Sequence, residues 1–188
     1  MFEKIYKLGL NVLPISRGVV RHFLYYFREG TNVHIGTRIK RTVEWKLFPG
    51  CRFEGGKGLI VGKDVTFNVS KGASLIFGDK VGIGNRCQIV SHKLIAIGEG
   101  SILGPGVMIF DHNHIFDFQE GVHQREFESD AVIIGKHCWL GAGVIVLKGV
   151  TIGDNCVIGA GAVVTKDIPS NSVAVGNPAK VIMPKKEV

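Results

Sequence analysis

From Ile134 onward, large aliphatic residues fall at every sixth position: Ile134, Leu140, Val146, Ile152, Ile158 and Val164. The residue after each is Gly135, Gly141, Leu147, Gly153, Gly159 or Thr165. A second column, four residues after each aliphatic, holds Cys138, Val144, Val150, Cys156, Ala162 and Ile168. Neither the 3.6-residue period of an amphipathic helix nor the simple alternation of an isolated strand yields two columns phased in this way. Upstream the same beat survives in triplets: Val61 and Phe67; Phe77, Ile83 and Ile89; Ile97, Leu103 and Ile109. Between triplets the register slips, as insertions at corners would make it slip.

A six-residue unit with a large aliphatic, a glycine and a small residue predicts a parallel β-helix of hexapeptide repeats. Each unit supplies one short strand and one corner, with the aliphatic pointing inward and the glycine relieving the backbone where the chain turns. Three units make a triangular coil, so residues 18 apart stack at the inter-strand spacing of about 4.8 Å. Ile134 is therefore expected under Ile152, Leu140 under Ile158 and Cys138 under Cys156. With parallel, inward-pointing side chains, the two cysteines read as stacked core thiols, not as a disulfide.

Three segments depart from the repeat. Residues 1–32 set Phe2, Ile5, Tyr6, Leu13, Val19, Val20, Phe23, Tyr26 and Phe27 beside Lys4, Lys7, Arg17, Arg21 and Arg28. That mixture predicts one or two amphipathic helices split near Pro14. Residues 111–131 interrupt the β-helix, which otherwise spans 33–168, with a polar excursion holding three histidines. Residues 169–188 carry Pro and Lys and read as a tail folded back on the prism. The class is thus mainly β, with an N-terminal helical segment and a protruding loop.

Composition supports that outline and adds a charge. The 26 glycines among 188 residues lack the every-third spacing of collagen, and 45% hydrophobic content excludes a disordered chain. Lys and Arg outnumber acids 23 to 16, a net charge of +7 that suits an anionic partner such as a phosphorylated small molecule. Cys51, Cys87, Cys138 and Cys156 form no CxxC pair, so reduced thiols in the cytoplasm are expected. No apolar run reaches the roughly 18 residues of a membrane span. The basic opening lacks a small-residue cleavage site, so a signal peptide is not expected.

The segment WLGAGVIVLKGVTIGDNCVIGAGAVVTKDIPSNSVAVGNPAKVI (139–182) and LGPGVMIFDHNH (103–114) resemble the hexapeptide-repeat acyltransferases. The likeness is to maltose, galactoside and polysaccharide O-acetyltransferases and covers about 33–182. It implies a left-handed β-helix and a homotrimer with acetyl-CoA, as co-substrate, in clefts between subunits. No nucleic acid partner and no metal are expected. In the family a histidine follows the GPxVxI strand at the spacing of His114. An alcohol is a poor nucleophile at neutral pH, and imidazole is suited to take its proton as the thioester is attacked. The family pattern implies the backbone N–H of Ala142, after Gly141, as oxyanion donor, with Trp139 near the thioester arm or a corner-covering aromatic. The motif also implies Ala160, Thr165, Lys166 and Lys180 as cofactor contacts, the lysines toward phosphate. His112 and Asp111 are candidate substrate contacts; Asp111 and Asp117 are also candidates to orient His114. Met183 stands where the galactoside enzyme has a basic residue, and Lys148 where proline is common.

The expected activity is therefore O-acetylation of a saccharide hydroxyl on a surface polysaccharide or sugar precursor. An acetyltransferase for an antibiotic or an amino acid is the alternative. The γ-type carbonic anhydrases share the fold, and a zinc site of His92, His112 or His114, and His123 is a remote alternative whose spacing does not match. A non-catalytic scaffold of the same repeat would not need the HNH and CoA segments. The helical opening of the maltose and galactoside enzymes has no counterpart in residues 1–30, so their acceptor residues do not carry over. That basic segment is a candidate either for peripheral contact with an anionic bilayer or for capping the first coil.

Overall fold

The computed structural model describes residues 31–184, apart from 35, 36 and 41. The helices expected in residues 1–30 lie outside the described residues. No helix of the described residues is long and apolar enough to cross a membrane.

Strands recur in a fixed cycle over three faces. Face A holds Thr31–Val33, Arg52–Gly55, Ser74–Phe77, Leu94–Ile97, Val132–Ile134 and Thr151–Ile152. Face B holds Arg38–Ile39, Ile60–Val61, Gly82–Ile83, Ile102–Leu103, Trp139–Leu140, Val157–Ile158, Ser172–Val175 and Lys180–Pro184. Face C holds Glu44–Leu47, Thr66–Val69, Gln88–Ser91, Met108–Phe110, Ile145–Val146 and Val163–Val164. Up to Ser172–Val175, each strand of the three faces pairs in parallel with a strand one coil away and not with its neighbour in sequence. Ile134 pairs with Ile152 and Leu140 with Ile158, the expected step of 18. Cys138 and Cys156 are free and buried, and their Sγ atoms donate to the carbonyls of Gly153 and Pro169, each at 3.0 Å. Burial pushes the Cys138 thiol up, away from reactivity.

The upstream slips have one cause. In the lower coils Phe67 pairs with Ile89, 22 residues on. Ile89 pairs with Ile109 at a step of 20, and Ile97 with Ile134 at 37. The surplus gathers at the corner between faces C and A. There Thr66–Val69 and Ser74–Phe77 are four residues long, whereas Ile145–Val146 and Thr151–Ile152 are two. The lower prism is therefore wider, and aromatics fill it: Phe53 lies 5.0 Å from Trp45, 5.5 Å from Phe67 and 5.7 Å from Phe77, between ring centroids. The narrow upper coils close on Val, Ile and Leu, because a core packed near crystal density admits no larger ring there.

Two expectations change. The glycine after each aliphatic is demanded by close approach, not by the turn itself. A Cβ on Gly141 would sit 2.6 Å from the Ala160 nitrogen, whereas the left-handed corner residue comes two positions later, at Gly143 with φ 67°. The winding also continues past 168. Ser172–Val175 adds a parallel strand beside Val157–Ile158, and only then does Lys180–Pro184 return antiparallel.

Candidate active site

The excursion grows from the corner between faces C and A, where the wide prism narrows. Val107, Ile109 and Asp111 alternate inward, so Asp111 has no exposed surface. Its carboxylate accepts hydrogen bonds from Ser91 Oγ (2.9 Å) and from the amides of His92 (2.7 Å), Lys93 and Leu94 (both 2.8 Å). These donors form the corner turn one coil below. The Asp111 carbonyl then accepts from the Asp130 amide at 2.8 Å and closes the base of the excursion. Asp111 is thus no substrate contact: its oxygens are occupied and sealed from solvent. Lys93 pairs with Asp130 at 2.9 Å, and Lys148 pairs with Glu128, which tethers the excursion to the corner above.

The excursion is a hairpin of His112–Asp117 and Gly121–Ser129. His112 faces Ser129 and His114 faces Phe127, but Ile115 faces His123. Gln124, Arg125 and Glu126 are left over in a bulge on the return strand, a device that re-aims side chains. Here the His123 carbonyl comes 3.4 Å from His114 Nδ1. A carbonyl only accepts, so Nδ1 carries the proton and Nε2 keeps its lone pair. Nε2 makes no hydrogen bond among the described residues, and His114 is exposed. Asp117 does not orient His114. It accepts from the Gln119 and Glu120 amides at the hairpin tip and pairs with His123 Nε2 at 2.7 Å. The Glu120 amide first, then His123, hold the Asp117 carboxyl below its ordinary range.

The rings of His92, His112 and His114 surround Phe127. His92 and His112 stack at 3.8 Å, 12° from parallel, and Phe127 stands 4.5 Å from both His92 and His114. Zinc ligation by His92, His112 or His114, and His123 does not assemble within one chain. Among the described residues the potential ligand atoms that converge belong to Asp117, Glu120 and His123, at the tip.

A second group of residues occupies the corner between faces B and C. At several corners the residue after the glycine donates its amide to an Asp, Asn or Ser side chain one coil above. Lys63 donates to Asn85 Oδ1 (2.8 Å), Lys136 to Asp154 Oδ1 (2.7 Å) and Asp154 to Ser170 Oγ (3.0 Å). At Ala142 the residue above is Ala160, which has no acceptor. The amides of Ala142 and Ala160 therefore find no partner among the described residues, and both residues are exposed. Two free N–H groups one coil apart form a ready donor pair for carbonyl or oxyanion oxygens. Gly141 is buried beneath them.

Trp139 lies on the outer side of face B between Ile102 and Val157, 57% exposed. Lys180 is exposed on the last strand of the same face, while Thr165 and Lys166 are exposed at the corner between C and A, above the hairpin. One chain thus holds its candidates at opposite edges of face C. His114, Thr165 and Lys166 stand at one edge; Ala142 and Ala160 stand at the other, beside Trp139 and Lys180. Sequence reasoning missed the docking role of His92 and Phe127, because pairing across the bulge leaves no period. Asp111 did carry a signal: it continues the inward alternation of Val107 and Ile109.

Comparison with known proteins accords with this arrangement. The family profile "Hexapeptide repeat of succinyl-transferase" matches residues 131–166. Nodulation protein L of Rhizobium leguminosarum bv. viciae is 44% identical over 115 residues, 61% of this chain and 60% of that protein. The putative lipopolysaccharide biosynthesis O-acetyl transferase WbbJ of Escherichia coli K12 is 38% identical over 57% of this chain and 59% of that protein. The crystal structure of a maltose O-acetyltransferase from Clostridium difficile 630 is 29% identical, with a TM-score of 0.59, over 98% of this chain and 84% of that one. The chain carries the hexapeptide repeat and is similar to acetyltransferases. The matched stretch spans about 60% of the length of those curated relatives. In this chain the stacked Ala142 and Ala160 amides offer a free donor pair, and the outward-facing His114 offers a ring nitrogen without a partner among the described residues.

Proposed function

We propose that the protein transfers an acetyl group from acetyl-CoA to a hydroxyl of a saccharide, on a surface polysaccharide or sugar precursor, with His114 as general base. The observation that carries this reading is the His114 ring itself: Nδ1 engaged by the His123 carbonyl, Nε2 free. Nε2 takes the acceptor's hydroxyl proton as the oxygen attacks the thioester carbon. The C–O bond forms, and the carbonyl oxygen becomes an oxyanion that the Ala142 amide meets. On collapse the C–S bond breaks and the imidazolium returns the proton to the CoA thiolate, leaving an acetyl ester and free CoA. The Ala160 amide contacts the pantetheine arm, Trp139 lines the thioester, and Thr165, Lys166 and Lys180 hold the phosphate end. The O-acetyltransferase names of WbbJ and the maltose enzyme support the acetyl group and the saccharide acceptor. Work in the cytoplasm, where acetyl-CoA is available, accords with the free thiols.

The reading requires more than one copy, since His114 and Ala142 stand at opposite edges of face C. Exposed large apolar residues support a homotrimer. Among the described residues, those on the prism walls lie on face B, as Ile60, Ile102, Trp139, Val175, Val181 and Ile182. The others are Phe48, at a corner, and Ile115, Phe116, Phe118, Val122 and Phe127 on the hairpin. The hairpin's corner is opposite face B, so it reaches only the face B of another copy. That head-to-tail contact closes as a ring of three and brings one copy's His114 to the next copy's Trp139 and Ala142.

The deciding experiment is thiol release from acetyl-CoA over a saccharide panel that includes maltose, with His114→Ala. A fall in kcat of at least 100-fold is expected, about 3 kcal/mol of transition-state stabilisation, with acetyl-CoA affinity kept within threefold. Unchanged turnover overturns the assignment.

A further inference from the structure

His92 lies outside the reacting group described above, yet its surroundings are unusual. Its ring stacks on that of His112 at 3.8 Å, and Phe127 packs edge-on against it at 4.5 Å. His92 belongs to the prism corner, whereas His112 and Phe127 belong to the two strands of the hairpin. The stack is therefore a ring contact by which the hairpin root rests on the prism, beside the Ser91–Asp111 hydrogen bond and the Lys93–Asp130 pair. Phe127 carries it on to His114, whose ring is also 4.5 Å away. The charges facing His92 are few. Asp111 lies above, His112 and His114 come from the first hairpin strand, and the Lys93–Asp130 pair lies at the adjacent surface. His112 Nδ1 is buried, without an aligned hydrogen bond, 3.4 Å from Asp111 Oδ1.

We propose that His92 is a positioning residue whose neutral stack on His112 holds the hairpin, and with it His114, and that protonation of the His92 ring releases the hairpin in acid. A proton on His92 finds the Asp111 oxygens already taken by Ser91 and three amides. Burial first, then His112, holds the His92 pKa below its ordinary value, against the pull of Asp111. The neutral-stack contribution to stability is thus fully present above about pH 6.5 and is lost as pH falls below it.

This inference rests on the acetyl-transfer reading only for its catalytic consequence, so the primary test needs no substrate. In the full chain, hydrogen exchange of residues 112–129, corrected for the intrinsic rate, is expected to be at least tenfold faster at pH 5.5 than at pH 8. In His92→Phe, which keeps a stacking ring without a titrating nitrogen, the difference shrinks to less than threefold; His92→Tyr gives the same result if the first variant folds poorly. Exchange that is pH-independent in the wild type, or equally acid-labile in both variants, overturns the proposal. Where turnover is measurable, the acid limb of kcat/KM should steepen beyond one proton in the wild type and return to one in His92→Phe. His92→Ala, without a ring, should lower kcat about tenfold at pH 8 with KM for acetyl-CoA held. An acid limb of the same slope in wild type and His92→Phe counts against the catalytic consequence.

Discussion

Replacing Ala142 by proline deletes one N–H and little else, because the fold already contains the variant. One coil below, the same corner reads Gly104-Pro105-Gly106, and Gly143 donates its amide to the Pro105 carbonyl at 2.9 Å. Gly106 and Gly143 share the left-handed conformation, with φ of 71° and 67°. That places Pro105 and Ala142 alike at the first central position of a turn that favours proline. The Pro105 ring is accommodated beneath Ala142, and a ring at 142 would lie in the same way beneath Ala160. Stability should therefore change by less than about 1 kcal/mol, since a compatible proline also restricts the unfolded chain. The amide lost is the one proposed to meet the oxyanion. Removing such a donor costs about 10²–10³ in kcat, or roughly 3–4 kcal/mol. The assay pairs urea unfolding with thiol release at saturating acetyl-CoA, with Ala142→Gly as the control that keeps the N–H. A proline variant that folds normally and turns over within threefold of wild type would remove Ala142 from the mechanism.

Asp111→Ala leaves four donors without their acceptor; at about 1 kcal/mol each, the low end for unsatisfied groups, it should cost about 4 kcal/mol by urea unfolding. A loss below 1 kcal/mol would mean that the carboxylate does not hold the hairpin root. Ile102→Asp, on the outer side of face B, should shift the mass in sedimentation from three chains toward one and depress turnover with it. A persistent trimer with full activity would place the subunit seam elsewhere.

The six-residue beat was decisive for architecture because a β-helix repeats its environment: each inward aliphatic meets its counterpart one coil on, so the local pattern and the global contact coincide. Ile134 under Ile152 and Leu140 under Ile158 were legible for that reason. The slips before Phe77 and Ile97 were legible as corner insertions. Their gathering at one corner, and the aromatic packing this demands around Phe53 and Phe67, emerged only when three faces were closed into a prism. The histidine at 114 was nameable from its motif, but its usable nitrogen was not. That depends on a bulge that brings the His123 carbonyl to it, and bulge registers follow from packing between two strands, with no period in either.

The residue types in the chain determined the coil, its inward column and the chemistry available at its corners. Which corners keep a free amide depends on what the coil above offers, and Ala160 over Ala142 is a relation between residues 18 apart that only stacking creates. Asp111 shows the same division. As a letter beside a histidine it reads as active-site chemistry, but burial makes it an acceptor for the turn beneath, because a carboxylate sealed from water must spend its lone pairs on the nearest donors.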